Sequence, residues 1–254
     1  MLKFFRSIRK NLLATSKTGK YFQYAIGEII LVVIGILLAL QINNWNTERM
    51  AQRSIHNYYE RMYVEIESEI MEVESFIIQE KMLSSMNKRT LMILASKNRD
   101  SIPALKETLG ALGTSWTLNV RFPVTEEFMD QGYLSKIEND SIKLAFKNFA
   151  YAMADIEEMN DYITAQYNDR IEPFINKNLN YSEIALQGYL EYLVQGGPPT
   201  DFDLLFSDLE LWNIVSFKLE GLNLDIRDNK YVEASLKNLN AHIRKELEQS
   251  KLED

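Results

Sequence analysis

Apolar side chains follow two different patterns along this chain. Over Tyr21–Asn46, YFQYAIGEIILVVIGILLALQINNWN, they cover every face of a helix, and beyond it they recur every three or four residues. The first pattern predicts a membrane span. Its densest part, Ile29–Leu40, is as short as the apolar region of a secretory signal, but the run from Tyr21 to Ile42 matches a hydrocarbon core of about 30 Å at about 1.5 Å per residue. A cleavable signal needs a small-x-small site, whereas Ala39-Leu40-Gln41-Ile42-Asn43-Asn44-Trp45 places a bulky or amide residue at each candidate position. The segment is therefore expected to remain as an uncleaved anchor, with Tyr21 and Tyr24 at one end and Trp45 at the other placing amphipathic rings at headgroup depth.

The second pattern predicts amphipathic helices. Neither glycine nor proline occurs between Ile36 and Ile102, so nothing obliges the first helix to stop at a membrane surface. Within that stretch Ile55, Tyr59, Met62, Ile66, Ile70, Val73 and Ile77 form one apolar stripe, the seam of a coiled coil or bundle. Glu65, Glu69 and Glu72 lie off that stripe and read as a solvated face, with Arg61 placed to pair with Glu65. Pro103 after Ser101 opens a short helix closed by Gly110 and Gly113, Thr114–Pro123 reads as an extended crossing loop, and Thr125 caps another short helix ending at Gly132.

Asn139-Asp140-Ser141 introduces a second long helix. It carries Ile142, Ala145, Phe149, Ala152, Met153, Ile156, Met159 and Ile163 at helical spacing and extends through a kink at Pro173 to Asn178. A further helix is expected over Ser182–Val194, ended by Gln195-Gly196-Gly197-Pro198-Pro199. Asp208 then caps a last helix on which Leu211, Val215, Leu219, Leu222 and Ile226 precede an interruption at Asp228-Asn229, with Leu236, Leu239, Ile243 and Leu247 after it. The expected fold is all-α: a single transmembrane helix continuing into a bundle of three long helices and several short ones.

Charge divides the chain in the same place. Residues 1–20 form a basic tail, with Lys3, Arg6, Arg9, Lys10, Lys17 and Lys20 and no acidic residue; the span follows over 21–46; and 47–254 is an acidic helical domain, more acidic than the net −8 of the whole chain. The positive-inside rule puts the tail in the cytoplasm and the acidic domain in the periplasm of a bacterial inner membrane. Acidity argues against nucleic acid as a partner, because phosphate binding needs clustered Lys and Arg. The absence of cysteine removes disulfides, thiolate metal sites and cysteine nucleophiles.

No catalytic constellation, cofactor motif or metal site is read from the residues, and no enzymatic activity is expected. His56 and His242, the two histidines, lack zinc-ligand spacing, and acidic pairs such as Glu157-Glu158 point to different sides of a helix. Asn139-Asp140-Ser141 and Asn180-Tyr181-Ser182 fit the glycosylation pattern, to which no weight is attached. Glu28 is the ionisable residue inside the span. Either it reaches the cytoplasmic interface about one turn in from Tyr24, or it is buried against another helix. Helical geometry puts Gly35 and Ala39 on its face, and this small-x-x-x-small pair permits close helix approach, making Glu28, Gly35 and Ala39 a candidate interface.

The chain resembles a family of uncharacterised single-pass membrane proteins of Bacteroidota, classed as a domain of unknown function. The resemblance rests on YAIGEIILVVIGILLALQINNWN (Tyr24–Asn46), with weaker similarity in FMDQGYLSKIENDSIKLAFKNF (Phe128–Phe149) and DFDLLFSDLELWNIVSFKL (Asp201–Leu219). Met129, Gln131 and the Gly-Gly-Pro-Pro run at 196–199 depart from the family's pattern. It implies a topology and a fold but no reaction. The expected role is a membrane-anchored interaction or scaffold protein that forms a homo-oligomer or docks onto another membrane protein. Two alternatives stand beside it: a small-molecule sensor module that needs a signalling partner, its ligand unknown, and an ion-coupled accessory subunit that uses Glu28.

Overall fold

A computed structural model describes residues 18–253, with side chains for Phe22 and for 25–250. The tail through Lys17 and the side chains of Lys20, Tyr21 and Tyr24 lie outside the described residues. Every regular element among those described is helical, so the all-α expectation holds. The chain divides into two compact units, Met1–His56 and Asn57–Asp254.

The first helix, α1 (Thr18–Ser96), runs without a break, as the lack of glycine and proline after Gly35 allows. In the first unit its side chains from Ile29 to Ile42 are exposed on every face. It ends where Lys97 turns left-handed (φ 53°), a terminating role usually given to glycine, and the Asn98 side chain accepts the Asp100 N–H at 3.0 Å to start a 3₁₀ turn.

The second unit contains the rest of α1 together with α2 (Ile102–Leu109), α3 (Pro123–Asp130), α4 (Asp140–Gln166), α5 (Glu172–Asn178), α6 (Tyr181–Ile184), α7 (Phe202–Leu205) and α8 (Leu209–Glu253). α4 packs along α8. Asn139 caps α4 by accepting the Ser141 N–H at 3.0 Å, and Asn180 caps α6 in the same way at 3.1 Å. Both apparent glycosylation signals are thus Asn-x-Ser helix caps. The segment between α2 and α3 crosses α4 in extended form, held where the Asn160 amide donates to the Leu118 carbonyl at 2.9 Å. A fully buried Phe128 from α3 then fits among Tyr58, Tyr59, Tyr133 and Phe146, with ring centroids 5.3–5.9 Å apart.

Three local expectations are corrected, and the kink expected at Pro173 takes a specific form. Ser182–Val194 is not one helix: α6 stops at Ile184, Ala185 and Leu186 are extended, and a 3₁₀ turn follows over Gln187–Tyr192. The backbone of α6's end lies against Gly110, close enough that a Cβ there would meet Leu186 N at 2.7 Å and Ala185 C at 3.0 Å. The kink before Pro173 is a π-turn, Tyr167–Ile171, in which the Glu172 N–H donates to the Tyr167 carbonyl five residues back. Proline supplies no N–H and its ring crowds the carbonyl four residues earlier, which the wider turn accommodates. α8 has no interruption at Asp228-Asn229, because Asn229 is buried and hydrogen-bonded within the bundle. Finally, α3 begins at Pro123 with Phe122 as its cap residue, and the Thr125 hydroxyl donates to Glu65 instead of capping its own helix.

The Gly196-Gly197-Pro198-Pro199 loop is stapled in place. Asn180 donates its amide to the carbonyls of Gly196 and Pro198 at 2.9 and 3.0 Å, and its backbone N–H to the Thr200 hydroxyl at 2.8 Å. Gly196 and Gly197 take φ of 127° and 92°, values that only glycine adopts without strain. Glu183 accepts the Thr200 N–H at 2.8 Å, and that bond, with Lys106 nearby, holds its carboxyl below the ordinary range.

Candidate functional site

In the first unit, the residues singled out from sequence lie on an accessible helix. Gly35 and Ala39 are exposed, Glu28 is half-buried, and a Cβ at Gly35 would meet no other atom within 4 Å. Trp45 is exposed, with the Arg49 guanidinium 5.5 Å from its ring centroid. α1 contains a candidate membrane span: an 18-residue window of mean hydropathy 2.6 with none of it buried.

Of the predicted seam, Ile55, Tyr59, Met62, Ile66, Val73 and Ile77 are buried, and Ile70 is half-buried in an open groove it shares with Met71, Asn240 and Arg244. Of the three acidic residues beside the seam expected to be solvated, Glu65 and Glu69 are half-buried. Glu65 accepts the N–H groups of Val124 and Thr125 at 2.7 and 3.0 Å and the Thr125 hydroxyl at 2.7 Å, so α1 caps α3 from outside. Glu69 accepts the Arg121 N–H at 3.4 Å, and partial burial raises its pKa. Arg61 pairs with Glu127 of α3 at 3.6 Å, not with Glu65. Glu72 is exposed as expected.

A cleft of about 870 Å³ opens in the second unit between the π-turn and the start of α8. Its apolar wall is Ile214, Phe174 and Phe217, and Phe217 and Leu209 are 57% and 71% exposed. Arg170 and Lys177 supply positive charge to the rim, Asp169 and Glu210 negative charge. An apolar wall with a few convergent charged groups beside an irregular helical turn has the character of a ligand site.

Charged groups also sit inside the bundle. Glu80 of α1 and Lys218, Asp225 and Asn229 of α8 are each at most 3% exposed. The Asn229 amide donates to both carboxyl groups, at 3.0 Å to Glu80 Oε2 and 3.0 Å to Asp225 Oδ1. Lys218 donates to the Ser115 hydroxyl at 3.4 Å. Burial, reinforced by the neighbouring Asp225, pushes the Glu80 carboxyl up to about 10. Burial also raises Asp225 and lowers Lys218 to about 8, the latter opposed by attraction to both acids. A signal for this cluster exists in the sequence. The spacing that ends the predicted seam at Ile77 continues to Glu80 and Asn87, and Lys218, Asp225 and Asn229 fall on the buried stripe of α8, so charge stands where apolar residues belong.

The model of a family of unknown function (DUF6090) matches residues 28–171 of this chain. No curated protein and no solved structure matches it.

Proposed function

We propose that this chain, which belongs to the family of unknown function DUF6090, is a membrane-anchored helical interaction protein. In this reading the span holds the chain in a bacterial inner membrane, the basic tail faces the cytoplasm, and the acidic helical domain works in the periplasm as a scaffold. The observation that carries it is the exposure of the α1 side chains from Ile29 to Ile42 on all sides. Such a surface in water has no counterpart among stable single helices, whereas lipid satisfies it on every face.

The Glu28, Gly35 and Ala39 face is where a second membrane helix docks, either from another copy or from a different protein. The support is local: a Cβ at Gly35 would meet nothing within 4 Å beyond its own helix backbone, so its lack of a side chain serves no packing inside the chain itself. The test is cross-linking and native-size analysis of the full chain in membranes, comparing wild type with Gly35→Leu. The larger side chain is expected to weaken a wild-type oligomer or hetero-complex while leaving the helical domain folded. Monomeric behaviour of both proteins, with no co-purifying membrane protein, would sink the proposal.

The cleft beside the π-turn favours a second reading, in which the helical domain binds a small molecule and passes the event to a membrane partner. That reading expects a ligand-dependent rise in the melting temperature of the full chain, lost in Phe217→Ala.

A further inference from the structure

We infer that Glu80 and Asp225 form a proton-binding site that locks α8 onto α1 inside the bundle. The two carboxyl groups share one donor, the Asn229 amide, at 3.0 Å each, so their oxygens occupy one small, buried space. The groups that face Glu80 are Asp225, Asn229 and Lys218; Asp228 acts on the pair through Asp225. One ammonium balances one carboxylate, and a second ionised carboxyl there would be a buried charge without compensation.

An independent observation points to the same ligand. Asp225 Oδ2 is buried and accepts no hydrogen bond in the structure. A proton on Glu80, within hydrogen-bond reach of Asp225, supplies the missing donor. The carboxylic acid then donates its O–H to the Asp225 carboxylate, Asn229 donates to both, and Lys218 neutralises the remaining charge. The only species taken up is the proton, and no bond between heavy atoms changes.

The linkage has a definite sign. Glu80 is raised from an ordinary 4.5 to about 10 in the folded chain. Between those values the unfolded chain loses this proton and the folded chain keeps it, so the stabilisation is complete below about 4.5 and is lost as pH rises toward about 10. Lys218, lowered to about 8 from 10.5, works in the opposite direction but only above about 8. From pH 8 down to about 4.5 the lock therefore strengthens as the surroundings acidify.

The test uses the full chain in detergent micelles, unfolded by denaturant between pH 5 and 8 and followed by near-UV signals of Trp116 and Trp212. The wild-type ratio of folded to unfolded protein is expected to fall by up to tenfold per pH unit relative to Glu80→Gln, whose amide imitates the protonated acid without titrating. Infrared spectroscopy of the wild type at pH 7 should show a protonated-carboxyl C=O band that Glu80→Gln lacks. Parallel pH profiles of the two proteins, or no such difference band, would overturn the proposal. So would failure of Glu80→Gln to fold, since it would mean that Glu80 acts as an anion.

Discussion

The Glu65 carboxylate on α1 accepts the Val124 backbone N–H at 2.7 Å, closing the first turn of α3 from a helix about sixty residues earlier in the chain. A helix start normally recruits its cap from the side chain of the residue just before it, but Phe122 occupies that position and has no side-chain acceptor. Glu65→Ala is therefore expected to destabilise the second unit by about 1–2 kcal/mol, as the loss of a cap does. Glu65→Gln keeps an acceptor and should cost less. Denaturant unfolding gives the magnitudes, and hydrogen exchange should show faster opening confined to Pro123–Asp130.

Gly110 is a packing requirement, not a flexible joint. The atoms a Cβ would strike belong to the backbone at Ile184–Leu186 and have no rotamer to escape into. Gly110→Ala should cost about 2–3 kcal/mol, as overpacking against rigid neighbours does, and it should lower the melting temperature of the full chain. Gly113 makes a contrast, because the nearest atom there is the Tyr181 ring at 2.9 Å, a side chain able to rotate aside. Alanine at that position is expected to be the milder change.

Lys218 compensates the buried acids, so removing it alone leaves an anion in the interior. Lys218→Met is expected to destabilise the protein by roughly 3 kcal/mol, and Lys218→Met with Asp225→Asn by much less than the sum of the two single changes. A double-mutant cycle of unfolding free energies checks this; additive costs would show that the ammonium and the carboxylate are independent.

The long helices were legible because each states its own period. Ile142 through Ile163 and Leu211 through Ile243 lie on the faces expected of them, and Asn139 and Asp208 cap where their chemistry suggested, with the Leu211 N–H reaching Asp208 Oδ1 at 2.9 Å. What escaped were features set by partners distant in sequence. The end of α6 at Ile184 depends on Gly110, the start of α3 on Glu65, and the continuity of α8 through Asn229 on Glu80. Asp228-Asn229 reads as a breaker because Asn and Asp offer the backbone local hydrogen bonds, but here the Asn229 side chain spends its donor on two buried carboxyl groups. The charge cluster stands in the register of both stripes, but the apolar period of the seam breaks at Glu80, three residues after Ile77, so apolar spacing alone does not disclose it.

The Asn180 staple makes the segment after α6 a natural place for engineering. Both ends of the stretch from Leu186 to Gln195 are tied independently: one by the packing of α6 on Gly110, the other by the hold of Asn180 on Gly196 and Pro198. Tyr192 and Val194 between them are among the most exposed large apolar side chains in the second unit. A fluorophore or epitope tag inserted at this point would be carried on a handle whose two roots stay anchored, allowing the protein to be followed in living cells without altering α1.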